Sequence, residues 1–252
     1  MPFVRVLRLG NSYDIDPNIP KDENKVTVSD RILGEGSDET VETTVRTIWP
    51  DPALPDLIDK WLDRYRPEVV LLVVSSYWFT YVSVPVRVER SFGPAGKPLA
   101  RAGLKVAATP WLAHNAAFRA VRRATIATLG GATHFTPEEV VASMQLCVRK
   151  LVARENLALV VRGPRVPFAA DGTATARLWA EERRSTVDRQ MAAFCKQLHV
   201  EYIEFSVGLA AQELPESFQG DLVHGTTAVH ADQGRLEGEA MLRAWQARRA
   251  VG

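Results

Sequence analysis

Apolar residues fall along this chain in two rhythms. One is the short, nearly continuous run: "VRVLRL" at Val4–Leu9, "EVVLLVVSS" at 68–76, "LALVVRGP" at 157–164 and "VEYIEFS" at 200–206. Runs of that length without a polar face predict strands covered on both sides. "ETVETTVRTIWP", at 39–50, alternates and is β-branched, which predicts one more strand. The other rhythm has helical spacing. Leu54, Leu57, Ile58, Trp61, Leu62 and Tyr65 recur on one face, with Pro55 in the first turn and Pro67 past the end. "TPEEVVASMQLCVRKLVAREN" opens on Thr136 as cap, Pro137 at the first position and Glu139 placed to close a capping box. "ARLWAEERRSTVDRQMAAFCKQLH" predicts a long helix, and "ADQGRLEGEAMLRAW" a last one capped by Asp232. "VTVSDRILGEGSD" predicts a helix opening at Ser29 or Asp30 and stopping at Gly34 and Gly36.

Strand and helix alternate almost throughout. That order implies an α/β fold: a three-layer α/β/α sandwich around a doubly wound, mainly parallel sheet, flavodoxin-like in plan. Residues 1–252 are expected to form a single domain. The rhythm breaks between about Tyr77 and His134, where "YWFTYVSVPVRVERSFGPAGKP" is aromatic and then broken by Pro and Gly. A basic amphipathic helix, "HNAAFRAVRRATIATLGG", follows and stops at Gly130 and Gly131. Residues 77–134 are therefore the candidate insertion, of the kind that caps or lids a site.

Composition narrows the function classes. The formal net charge of +1 gives no global reason to bind nucleic acid or an anionic membrane. No run of about 18 apolar residues is present, so no membrane span is expected, and the N-terminus lacks a signal-peptide pattern. These features point to a cytoplasmic protein. Cys147 and Cys195 lie in helical stretches without CxxC spacing and are expected to be buried free thiols. No metal site and no cofactor are expected; Asp14 and Asp16 read as solvated loop acids.

In parallel sheets chemistry collects at the carboxyl ends of strands. The first strand ends in Gly10-Asn11-Ser12, which exposes one hydroxyl there. A serine becomes a nucleophile when a histidine takes its proton and a carboxylate orients that histidine. Far along the chain, "GDLVHGTTAVHADQG" supplies Asp221, His224 and His230 just before the last helix. A loop there can return to the edge where the first strand ends.

This layout resembles the SGNH, or GDSL-type, hydrolases, a superfamily of esterases and lipases. Gly10-Asn11-Ser12 matches its first block and Asp221-Leu222-Val223-His224 its last. The resemblance implies a serine hydrolase cleaving a small ester or acyl group through an acyl-enzyme on Ser12, with Asp221 orienting the base. His224 has the family's spacing from Asp221, whereas His230 lies nearer the last helix; both are candidates, His224 first. The family's oxyanion glycine and asparagine are absent after the second and third strands, where Trp49-Pro50-Asp51 and Ser75-Ser76 stand. Asn11, Ser75, Ser76 and Asn115 are the candidate oxyanion or substrate-binding residues. The expected partner is a small-molecule acyl ester. An alcohol or amine in place of water makes the same triad an acyltransferase. A non-catalytic binding protein on this fold is the rival from another class, and a phosphate or nucleotide binder ranks third.

Overall fold

The structure, a computed structural model, describes residues 3–10, 14, 16–98, 101–103, 109, 115–165, 173–204, 219 and 225–250. Five strands form one all-parallel sheet in the order β2-β1-β3-β4-β5: β1 (Phe3–Gly10), β2 (Thr40–Thr47), β3 (Val69–Val73), β4 (Ala158–Arg162) and β5 (Glu201–Ile203). The helices are α1 (Lys25–Ser37), α2 (Leu54–Tyr65), α3 (Tyr77–Thr80), α4 (Val84–Phe92), α5 (Ala116–Leu129), α6 (Pro137–Val152), α7 (Ala174–Gln197) and α8 (Thr227–Arg249).

Alternation along each strand divides the core. Leu7, Leu9, Val70, Leu72, Leu159 and Val161 face the layer that includes α2, α6 and α7. Val4, Val6, Val69, Leu71, Ala158 and Val160 face the layer of α1 and α8. Every residue of β3 and β4 is buried, as strands covered on both faces require. β2, at the edge, keeps a polar alternating pattern.

Local signals explain most helix ends. Thr136 and Glu139 form the expected capping box at the start of α6. Arg66, in the left-handed region, closes α2. Two expectations are corrected. α1 opens at Lys25, capped by Asn24, whose side chain accepts from the Val26 N–H, and it runs through Gly34 and Gly36 to Ser37. α8 opens at Thr227 with Thr226 as N-cap, so Asp232 lies inside the helix and His230 in its first turn.

The first of these corrections has a packing cause. A Cβ on Gly234 would lie 2.8 Å from the Lys25 carbonyl oxygen, and one on Gly238 3.0 Å from that of Ser29. Two glycines four apart on α8 thus let the α1 backbone come within contact, which holds a β-branched stretch, Val26-Thr27-Val28, in a helix. The chain leaves the sheet after Val74 and returns at Phe135, whose N–H donates to the Trp78 carbonyl at 2.9 Å. Between them, Ser83 and Ala132 exchange two backbone hydrogen bonds of 2.9 and 3.1 Å and pinch the segment 84–131 at its base. Among the described residues no helix is long and apolar enough to cross a membrane.

Candidate active site

Because all five strands run the same way, their carboxyl ends share one edge. In register, Leu9 pairs with Leu72, Val73 with Arg162, and Arg162 with Ile203. Gly10, Ser75, Ser76 and Gly163 therefore lie along one rim. Ser75 and Ser76 are buried directly past β3, between the ends of β1 and β4, and their carbonyls accept from Trp78 and from Phe79 and Thr80 in the tight turn that follows.

Asn11, Ser12, Asp221 and His224 lie outside the described residues. Their flanking segments are described, and one residue joins them. Gln219 donates its amide to the Asp16 carboxylate at 2.7 Å and to the Gly225 carbonyl at 2.9 Å, and accepts from the Asn18 amide at 3.3 Å. Gln219 and Gly225, which flank residues 220–224 in sequence, are thereby joined to each other and to Asp16, four residues past Ser12. A Cβ on Gly225 would lie 3.3 Å from the Arg165 guanidinium, which brings the residues past β4 to the same rim.

Beneath the rim lies a buried charge cluster that the sequence reading did not find. Arg8 and Arg162 point from β1 and β4 into the α1/α8 layer, and both bond Glu237 of α8. Arg8 also donates to the Ser29 hydroxyl at 2.9 Å. Lys25 pairs with Asp14 at 3.0 Å, and Arg8 lies 4.0 Å from the same carboxylate. Asp14 is wholly buried, not solvated as expected, and it folds back over β1: a Cβ on Gly10 would lie 1.8 Å from its Oδ2. Asp16, expected to be solvated as well, is buried and held by the Asn18 N–H and Gln219. The readable signal was arginine within otherwise apolar strands, Arg5 and Arg8 in "VRVLRLG" and Arg162 in "LALVVRG".

Environment sets the ionisation of these groups. Burial alone would raise the Asp14 carboxyl, but Lys25, then Arg8 and Arg162, outweigh it and hold it down at about 2. Burial pushes the Lys25 ammonium down to about 8 against the pull of Asp14. His230 is 1% exposed; burial, with Lys25 and Arg165 nearby, pushes its imidazole down to about 4, so it is neutral at neutral pH. Its Nδ1 has no hydrogen-bond partner among the described residues. Asn115 caps α5: its side-chain oxygen accepts from the N–H groups of Ala117 and Phe118, leaving only its amide nitrogen to donate elsewhere. Cys147 and Cys195 are free and buried, with burial pushing both thiols up to about 12.

No protein-family model matches the sequence, and no curated protein does. Solved structures do match the fold over nearly the whole chain. The psychrotrophic esterase EstA from Pseudoalteromonas sp. superposes with a TM-score of 0.55 at 11% identity, covering 96% of this chain and 98% of that one. TesA gives 0.54 at 13% identity, covering 97% and 99%. A GDSL-like lipase from Parabacteroides merdae gives 0.54 at 15% identity, covering 94% and 95%. The chain therefore has the SGNH hydrolase fold.

Proposed function

We propose that the protein is a serine hydrolase acting on a small ester, with Ser12 as nucleophile, His224 as base and Asp221 as the orienting acid. The observation that carries this reading is the Gln219 bridge. It joins Gln219 and Gly225, the described residues that flank Asp221 and His224 in sequence, to Asp16, four residues past Ser12, and this supports a site at the carboxyl edge of the parallel sheet. His224 is preferred to His230 because His230 is buried within the first turn of α8, beside Lys25 and Arg165, where its basicity is low. His230 then acts as support beneath the rim. The Asp14–Lys25 pair holds the loop's base by folding the Asp14 carboxylate against Gly10.

In this reading the Ser12 Oγ attacks the acyl carbonyl carbon while His224 takes its proton. The Ser12 N–H, with Ser75 or Ser76, receives the oxyanion. Collapse expels the alcohol, protonated by His224, and leaves the acyl group on Ser12. Water, deprotonated by the same imidazole, attacks the ester carbonyl, releases the acid and restores the serine. The fold relative EstA was captured inhibited by monoethylphosphonate, a reagent class suited to this test. A fluorophosphonate probe followed by peptide mapping is expected to label Ser12 in the wild type and in His230→Asn, and to lose the adduct in Ser12→Ala and His224→Ala. Absence of Ser12 labelling in folded wild-type protein turns the reading towards a non-catalytic binder. Loss in His230→Asn with retention in His224→Ala exchanges the histidines.

A further inference from the structure

The small total charge hides a lopsided distribution. Residues 77–134 hold eight of the 31 Lys and Arg but only one of the 30 Asp and Glu, Glu89, so the segment carries +7 and the rest of the chain −6. Much of that charge is uncompensated at the surface. Arg87, Lys97 and Arg101 are exposed and have no ion-pair partner among the described residues. A concentration of one sign sets up a local positive potential that the overall charge does not report.

Contacts at the base of the segment decide which side faces outward. On α5, Arg122 turns inward, lying 5.1 Å over the Tyr81 ring and donating to its hydroxyl at 2.9 Å. On α4, Arg90 donates to the His134 carbonyl at 2.9 Å. From the neighbouring α7, Arg183 donates to the Phe79 carbonyl at 2.8 Å and lies 4.6 Å over the Trp179 ring, which sets the first turns of α7 beside the same base. Large apolar side chains remain on the outside: Phe92 is 67% exposed, Val121 63% and Leu178 72%. Only Val86 of α4 is buried, and none of the described side chains of α5 is. Helices in proteins draw most of their stability from packing one face, and α5 packs little.

We propose that the outward face of α4 and α5, with the first turns of α7, is a docking face for an anionic lipid bilayer. Arginine and lysine meet the phosphate and carboxylate headgroups, while Phe92, Val121 and Leu178 enter the boundary between headgroups and acyl chains. Charge selects this occupant over a second copy of the chain, because two such faces brought together repel. The apolar residues among the cations select it over a soluble polyanion, which would engage the charges alone. The face is built wholly from described residues and stands whether or not Ser12 is a nucleophile.

The test is co-sedimentation with vesicles of phosphatidylcholine containing about 30% phosphatidylserine, and with phosphatidylcholine alone. Binding is expected to the first and not the second, and to weaken as salt is raised. Each basic residue near an anionic surface is worth about fivefold, so Arg87→Gln, Lys97→Gln and Arg101→Gln together should weaken binding on the order of 100-fold. The matched triple Lys60→Gln, Lys196→Gln and Arg248→Gln, on other elements, should bind nearly as the wild type does. Phe92→Ser should weaken binding by about tenfold, and Phe92→Trp should retain it. All these side chains are exposed, so melting temperatures should stay close to that of the wild type. Absence of binding to the anionic vesicles, or equal losses in the two triples, overturns the proposal. Tighter binding of duplex DNA or of poly-glutamate, with Phe92→Ser without effect, overturns it in favour of a soluble polyanion.

Discussion

His230 and Asp14 lie under the same rim and respond to acid in different windows. The folded state holds His230 at about 4, against 6.5 in the unfolded chain, so the unfolded chain binds the extra proton between those values. Stability therefore falls as pH drops from 6.5 towards 4. Asp14 is held at about 2 against 3.8, so its contribution is complete above 3.8 and is lost as pH falls from there towards 2. Urea melts at stepped pH should show the first loss in the wild type and a loss smaller by on the order of 2 kcal/mol in His230→Asn. An unchanged slope in that variant means the imidazole is not the group refusing the proton. A second residue-scale lesson concerns charge. Arg8, Arg162 and Glu237 are each buried, and both arginines bond the one carboxylate, so none is spare. Removing one partner leaves buried charge uncompensated, which is costly.

At the scale of elements, the α1–α8 contact places the cluster. Gly234 and Gly238 bring α1 close enough for Lys25 and Ser29 to reach groups carried by the strands and the first loop. Gly234→Val would drive a branched side chain into the Lys25 backbone, with the first added atom already 2.8 Å from its carbonyl oxygen. We expect a loss of about 1–3 kcal/mol by thermal or urea melting, the usual cost of overpacking. No loss would mean that α1 can withdraw without cost. The starts of both helices escaped the sequence pattern for a shared reason. "KVTV" and "TAVHA" are rich in β-branched residues, which favour strands over helices in isolation. Burial of Lys25 and Val28, and of Val229 and His230, overrides that preference.

Across the whole molecule, the chain's two ends meet through Gln219. Its side chain spans 203 positions of sequence to reach Asp16, and it is itself only part-buried. Gln219→Ala should therefore leave the melting temperature nearly unchanged while slowing phosphonylation of Ser12 by on the order of tenfold or more, since small misplacements of reacting groups are costly. An unchanged labelling rate would show that the 220–224 loop is positioned by other contacts. The segment 84–131, pinched at Ser83 and Ala132, leaves the sheet just beyond Ser75 and Ser76 and returns beside Trp49 through His134. We read it as the cap of the proposed site.

The sequence by itself determined the strands, most of the helices and their order, because burial on two faces and helical periodicity are local patterns. The order of the strands across the sheet, β2-β1-β3-β4-β5, came from the structure. Gly10-Asn11-Ser12 and Asp221-x-x-His224 were legible as candidates because short motifs at strand and helix ends carry position as well as identity. What only the tertiary structure decided are meetings between residues far apart in sequence. Arg8 with Glu237, Asp16 with Gln219, and Trp49 with His134 are separated by whole elements, and no local pattern encodes such pairs. Their proximity follows from parallel strands ending on one edge and from two glycines that let one helix approach another. For the same reason the role of Gly234 and Gly238, which sit in a stretch that reads in sequence as an ordinary last helix, shows only in the fold, where they bring the buried cluster together.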